Sequence, residues 1–276
     1  MRKFRILALF LLLALFCPLL GGCAKTDVAH LRLTVLDVGQ SDCMLLSLGE
    51  RHMLIDTGTS GERAAVLGEL AARGVDKLDF IVVTHPHEDH YGNARILLET
   101  RPVGALIVSN AVSPDVGYSM VLEAAEREKT EIRVLSDGES FSFGEAVCEV
   151  FCAMPDDPEG NNASLVLRVR FGDCMLLFMG DAEAAAEEIL LSRETGWNCD
   201  FLKVGHHGSR TACSKDFLQA TTPAIAVISC GENNDYGFPH REVLTGLEEV
   251  GAEVFRTDER GFLNFVCDGR TVTFEE

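Results

Sequence analysis

The sequence has no pair of CxxC motifs, no internal repeat, no low-complexity tract and no long apolar run beyond its first twenty residues. The absent thiol pairs exclude a cysteine-ligated zinc knuckle, and the absent repeat excludes a solenoid. With a single apolar run, there is no set of helices that could build a membrane channel. Basic residues are also scarce: 24 Lys and Arg stand against 43 Asp and Glu, a formal net charge of −19. Such a surface repels bulk polyanions and disfavours non-specific nucleic-acid binding, whose affinity comes mainly from neutralised phosphates. It leaves room for a local basic groove.

What is present is ordinary globular composition, with 276 residues of which 47% are hydrophobic and 24% charged. That length suits one large domain or two small ones. The chain opens Met1-Arg2-Lys3-Phe4-Arg5, continues in an apolar run from Ile6 to Leu20 broken by Pro18, and reaches Gly21-Gly22-Cys23. This order reads as a secretory signal; a membrane anchor is the alternative, but the run is short for a bilayer span. Leu20-Gly21-Gly22-Cys23 resembles a bacterial lipobox, which implies export, lipidation of Cys23 and anchoring at the outer side of the cytoplasmic membrane. Residues 1–22 are then signal, 23–30 tether and 31–276 the functional domain. Losing 1–22 removes three basic residues and no acid, so the domain is more acidic still. With Cys17 in the signal and Cys23 lipidated, eight cysteines remain, most in or beside strand-like runs. They read as small core hydrophobes, with disulfides as the alternative.

Strand-like runs at 31–38, 43–48 and 52–55 form a meander, followed by a helix-like segment at 62–73 and a buried-strand run at 78–83. Helical stretches at 93–99 and 120–127 flank a strand at 105–109. Strands then resume at 146–151, 164–171 and 175–179, with a helix at 182–191, strands at 201–204 and 225–229, a helix at 241–250 and a terminal hairpin. Two sets of strands with helices between them imply two sheets covered by helices, a four-layer α/β arrangement.

Directly after the 78–83 run comes His85-Pro86-His87-Glu88-Asp89-His90. Three imidazoles and two carboxylates on one turn suit zinc and other borderline metals, and close spacing lets one segment face two ions. A solvated loop that picks up metal adventitiously is the plainer reading. His85, His87, Asp89 and His90 match HxHxDH, and on that motif the chain resembles the metallo-β-lactamase superfamily, with Asp56 in Leu54-Ile55-Asp56-Thr57-Gly58 as its early structural Asp. The resemblance implies an αββα sandwich with two divalent ions, zinc first and manganese second. It puts His85 and His87 on the first ion, Asp89 and His90 on the second, Asp181 of Gly180-Asp181 between them, and His207 as the late ligand. No histidine lies between His90 and His206 to complete the first site, so Asn162 or water would fill it.

Val38-Gly39-Gln40-Ser41-Asp42, the stretch 162–167, Lys203-Val204-Gly205-His206-His207-Gly208-Ser209 and Tyr236-Gly237-Phe238-Pro239-His240 resemble the soluble hydrolase domain of ComEC-type competence proteins, over roughly residues 31–268. Phe238 replaces a frequent His of those relatives, and Cys43 a small residue. The resemblance implies hydrolysis of a phosphodiester, DNA among the candidates, with Asp89 orienting water and His206 and His240 contacting substrate. Lys203, Arg210, Lys215 and Arg241 are candidates for a phosphate track; Ser209 and Asn162 for phosphate contacts. Other readings stay open: an envelope phosphoester hydrolase, a non-catalytic lipoprotein binding DNA or an envelope partner, and half of an aspartic-protease site in 54–59.

Overall fold

The computed structural model describes residues 30–157, 160–193 and 196–276. The expected signal and Cys23 lie outside them. Among the described residues no helix is long and apolar enough to cross a membrane. The first half of the chain runs β1 (Leu31–Val35), β2 (Met44–Leu48), β3 (Arg51–Ile55), α1 (Arg63–Ala72), β4 (Leu78–Val83), α2 (Glu88–Tyr91), α3 (Ala94–Thr100), β5 (Val103–Ser109), α4 (Val116–Glu128) and β6 (Glu131–Leu135). The second half runs β7 (Ser140–Phe143), β8 (Ala146–Cys152), β9 (Leu165–Phe171), β10 (Cys174–Phe178), α5 (Ala184–Leu191), β11 (Phe201–Lys203), α6 (Lys215–Thr221), β12 (Ile225–Ile228), α7 (Arg241–Glu249), β13 (Glu253–Arg256), α8 (Thr257–Arg260), β14 (Leu263–Cys267) and β15 (Val272–Glu275).

Eight strands form one sheet in the order β15-β14-β1-β2-β3-β4-β5-β6, and seven form the other, β13-β12-β11-β10-β9-β8-β7. The two-residue period of each strand decides the layers. Met53 and Ile55 of β3 and Val82 of β4 face the other sheet, while Leu54, Ile81 and Val83 face helices. Across the gap, Leu176 and Phe178 of β10 meet the same core, and Leu177 turns outward. Val66 and Leu70 of α1, Leu97 of α3 and Val121 of α4 cover the first sheet; Leu190 of α5, Phe217 of α6 and Leu247 of α7 cover the second. Each buried Leu, Val or Phe side chain contributes roughly 1.5–3 kcal/mol by leaving water. The four-layer αββα arrangement expected from the strand grouping is the observed one.

Differences are local. The sequence reading omits β6, β7, α6 and β13, which are short; β6 in particular buries none of its residues fully. Helix α4 starts four residues earlier than read, because Asp115 caps it by accepting from Tyr118 N–H at 2.8 Å. The terminal hairpin joins the first sheet through β14, antiparallel to β1. All eight described cysteines are reduced and buried, as core thiols should be. Burial lifts the Cys148 thiol to about 12, so it is no nucleophile.

In each sheet the strands that end near the histidine motifs are parallel: β3 to β6 in one, β10 to β13 in the other. Leu165 N–H donates to Thr84 O at 2.8 Å, tying the end of β4 to the start of β9. The loops leaving β4, β10, β11 and β12 therefore gather on one rim.

Candidate metal centre

The turn after β4 is held from behind by Asp56. This residue is fully buried, adopts a left-handed backbone (φ 57°) and accepts from Thr84 N–H and Thr84 Oγ1, both at 2.8 Å. It also takes the Nδ1–H of His90 at 2.8 Å, which leaves His90 Nε2 facing forward. A carboxylate behind a histidine fixes its tautomer and ring angle. Both oxygens of Asp56 are thus committed inside the fold, which removes the aspartic-protease reading. His207 is oriented in the same way, its Nδ1–H donating to Ser229 O at 2.9 Å.

The forward atoms converge. His90 Nε2 lies 3.3 Å from Asp181 Oδ2 and 3.6 Å from Asp89 Oδ2, and His207 Nε2 lies 3.4 Å from Asp89 Oδ2 and 3.7 Å from Asp181 Oδ1. One ligand atom from each of these four residues falls within 4.8 Å of the others. His85 Nε2 is 3.8 Å from the same Asp181 Oδ2 that His90 approaches, and 3.0 Å from His87 Nδ1. Asp181 therefore faces His85 as well as His90 and His207.

The donor set fits divalent metal. His90 Nε2, His207 Nε2 and Asp181 Oδ1 are buried and have no hydrogen-bond partner. Leaving such atoms unpaired costs about 1–3 kcal/mol each, and a shared cation removes that cost. Imidazole with carboxylate is the chemistry of zinc and its neighbours. Electrostatics agree: burial disfavours the charged ring of His207, but Asp181 and Asp42 outweigh it and lift the group to about 10. His90 is raised well above its ordinary value against burial, by Asp181, Asp56 and Asp89. Burial would raise Asp181, yet His90 and His207 hold it well below the usual carboxylate range. Two protonated imidazoles thus stand in for positive charge that a metal ion would bring.

His206 occupies a different place from His207. Both lie in the left-handed region, at φ 45° and 52°, and Gly208 closes the turn where a Cβ would come within 2.6 Å of Pro239. This tight turn points the two rings apart. His206 stays partly exposed on the rim, its Nδ1 held by Glu183 Oε1 at 2.9 Å and its Nε2 3.9 Å from Asp181 Oδ2. His240 is not gathered with the others: its Nδ1 accepts from Arg210 N–H at 3.0 Å, and the Phe238 ring sits beside both it and His206. Asn162 directs its carbonyl to Glu183 N–H at 3.0 Å, a backbone contact, and does not fill the first site. Ser209 pairs with Thr211.

Sequence reasoning missed Ser164, whose Oγ accepts from Asp181 N–H at 3.0 Å and lies 3.3 Å from His85 Nδ1. It also missed Glu183, and it placed Lys203 wrongly. Lys203 is fully buried, its Nζ 2.8 Å from Asp42 Oδ2, so it is no part of a surface phosphate track. One charge inside the apolar run 201–204 was the available signal, because a buried lysine needs a partner. Asp42 in turn reaches His207 Nδ1 at 3.4 Å.

The model of the metallo-beta-lactamase superfamily matches residues 36–232, which carry this cluster. The chain belongs to the metallo-β-lactamase superfamily. It is 32% identical to ComE operon protein 3 of Bacillus subtilis (strain 168) over 87% of its own length and 33% of that protein. It is 33% identical to Competence protein ComA of Neisseria gonorrhoeae over 84% of its length and 32% of that protein. The chain thus spans about a third of the length of these curated relatives. Among solved structures, the metallo-β-lactamase fold protein YhfI of Bacillus subtilis has the same fold at a TM-score of 0.59 and 13% identity, covering 87% of this chain and all of that one. CmlA, a diiron β-hydroxylase from Streptomyces venezuelae, shares the fold at a TM-score of 0.53 and 14% identity, over 84% of this chain and 53% of that one. Members of this superfamily are generally hydrolases that typically bind divalent metals, and the His/Asp cluster here is able to hold a metal ion.

Proposed function

We propose that this chain is an exported phosphodiesterase that cleaves nucleic-acid strands, held at the membrane through Cys23. The observation that carries the reading is the set of unpartnered buried ligand atoms on His90, Asp181 and His207, with Asp89 among them and His85 adjoining, itself in contact with His87. Asp89, His90, Asp181 and His207 would hold one divalent ion, and His85, His87 and Asp181 a second. Zinc suits the donors first and manganese second. Ions so bound supply Lewis-acid charge and lower the pKa of water.

The chain's own groups do the rest. Asp89 is half exposed and held to about 2, its burial outweighed first by His90, so it stays ionised and able to accept a proton-bearing group. His206, braced by Glu183 and partly exposed on the rim, presents Nε2 to a substrate oxygen and can pass it a proton. Likeness to competence proteins favours a DNA phosphodiester over a β-lactam.

Zinc- or manganese-loaded protein is expected to hydrolyse bis(p-nitrophenyl) phosphate and single-stranded DNA, with Asp181→Ala and His87→Ala folded but at background rate. Turnover retained in both variants would overturn the reading. One feature favours a second reading. The 670 Å³ cleft beside His87 is walled by Glu88, Asp115 and Asp157 together with Val112 and Pro114. Carboxylates with apolar side chains suit an envelope phosphoester with a neutral or cationic arm. Faster turnover of phosphocholine esters than of DNA would select it.

A further inference from the structure

Of the four basic residues that the sequence offers near the histidine motifs, one is buried and the other three meet elsewhere. Arg210, Lys215 and Arg241 are separated by up to 31 positions, yet all three line one open groove of about 710 Å³ between α6 and α7. All three are exposed. Arg210 lies 4.0 Å from Glu242, a solvated pair that opens at little cost, and Lys215 and Arg241 have no carboxylate partner among the described residues. Glu242 and Glu249 also line the groove, so three cations face two carboxylates and leave it one positive charge in a chain of net charge −19.

The groove adjoins the metal centre through a short, rigid wall. Glu183 braces His206 at 2.9 Å, and its neighbour Ala184, a groove residue, donates its N–H to Thr211 O at 2.8 Å. Arg210 follows directly on Ser209 and is pinned by His240. The far end of this wall is fixed by buried Glu187, which accepts from Cys213 N–H at 2.6 Å and Ser214 N–H at 2.8 Å. A preformed rim lowers the ordering cost of binding.

We propose that this groove binds the phosphodiester backbone of a single nucleic-acid strand extending from the metal centre, with Arg210, Lys215 and Arg241 pairing with its phosphates. The proposal rests on the phosphodiesterase reading for the position of the scissile phosphate. Charge complementarity selects a polyanion, and the concave groove between two helices selects a flexible chain over the flat face of an anionic bilayer.

The test is the affinity of the full mature chain, metal-loaded, for a fluorescent phosphorothioate dT12, which keeps its charges and resists cleavage. Arg210→Gln, Lys215→Gln and Arg241→Gln together are expected to weaken binding at least tenfold at low salt. They should also reduce the slope of log K against log salt by about 2, since each single-strand phosphate contact contributes about 0.7. An equal change of charge at exposed Lys77, Arg170 and Arg270 should leave both unchanged. Equal affinity of the groove variant and the wild type, or no binding by the wild type, would overturn the proposal. So would a groove variant that loses binding to phosphatidylglycerol vesicles but not to dT12. Loss of strand binding in the groove variant with no hydrolysis by the wild type would sustain the groove and sink the phosphodiesterase reading.

Discussion

A lysine with no exposed surface, Lys203, stands 2.8 Å from a carboxylate with none, Asp42, and that pair backs His207. Burial would raise the Asp42 carboxyl; Lys203 first, then His207, instead hold it well below the ordinary range, so Asp42 stays ionised in the interior. Removing one partner strands the other charge in a medium that solvates it poorly. Lys203→Met is therefore expected to cost about 3–5 kcal/mol in denaturant unfolding, whereas Asp42→Leu with Lys203→Met should recover most of it. A double variant as unstable as the single one would show that the ion pair is not what Lys203 provides. The run Phe201-Leu202-Lys203-Val204 displays its odd charge to any reader of the sequence, but its partner lies 161 positions away on another loop.

Among the elements, the turns at strand ends matter more to function than the strands. Gly180 links β10 to Asp181 at φ 54°, and a Cβ there would meet Ser164 Oγ at 2.9 Å and Thr84 at 3.0 Å, all buried. Gly180→Ala is expected to destabilise by about 1–3 kcal/mol through overpacking and to displace Asp181, whose N–H rests on Ser164. Its zinc affinity, measured against a chromophoric chelator, should fall with its melting temperature. Unchanged affinity would mean that Asp181 is positioned by something other than this turn. Strands β3, β4 and β10 were legible because their apolar runs are strong and local. The edge strands β6 and β7 and helix α6 were not, since their burial depends on neighbours supplied by the rest of the chain.

For the whole molecule, the metal-free state is a balance of protons and carboxylates in one buried cluster. Folded His207 holds its proton up to about 10, against about 6.5 for an unfolded histidine. Its contribution to stability is complete below about pH 6.5 and is lost as pH rises toward 10. Metal takes the place of those protons, so its affinity grows over the same interval. Calorimetry should show the melting temperature of metal-free protein falling from about pH 6.5 to 9, and the gain on adding zinc rising. At a fixed zinc concentration the gain should reach about 2.7 kcal/mol at the pH where that concentration is a hundredfold over the dissociation constant. A gain that stays flat with pH would mean that His207 and His90 do not exchange protons for metal.

The sequence by itself determined that His85, His87, Asp89 and His90 share one turn at the end of a buried strand, because four ligands within six residues have nowhere to go but the same loop. It determined two sets of strands as well, through apolar or alternating runs that each strand carries alone. Only the tertiary structure decided that Asp181 faces His85, His90 and His207 together and that His207 joins the cluster while His206 stays on the rim. It also sent Lys203 inward and brought Arg210, Lys215 and Arg241 to one groove. These outcomes depend on where two sheets put the ends of strands far apart in the chain, and on a left-handed turn that aims adjacent side chains in different directions.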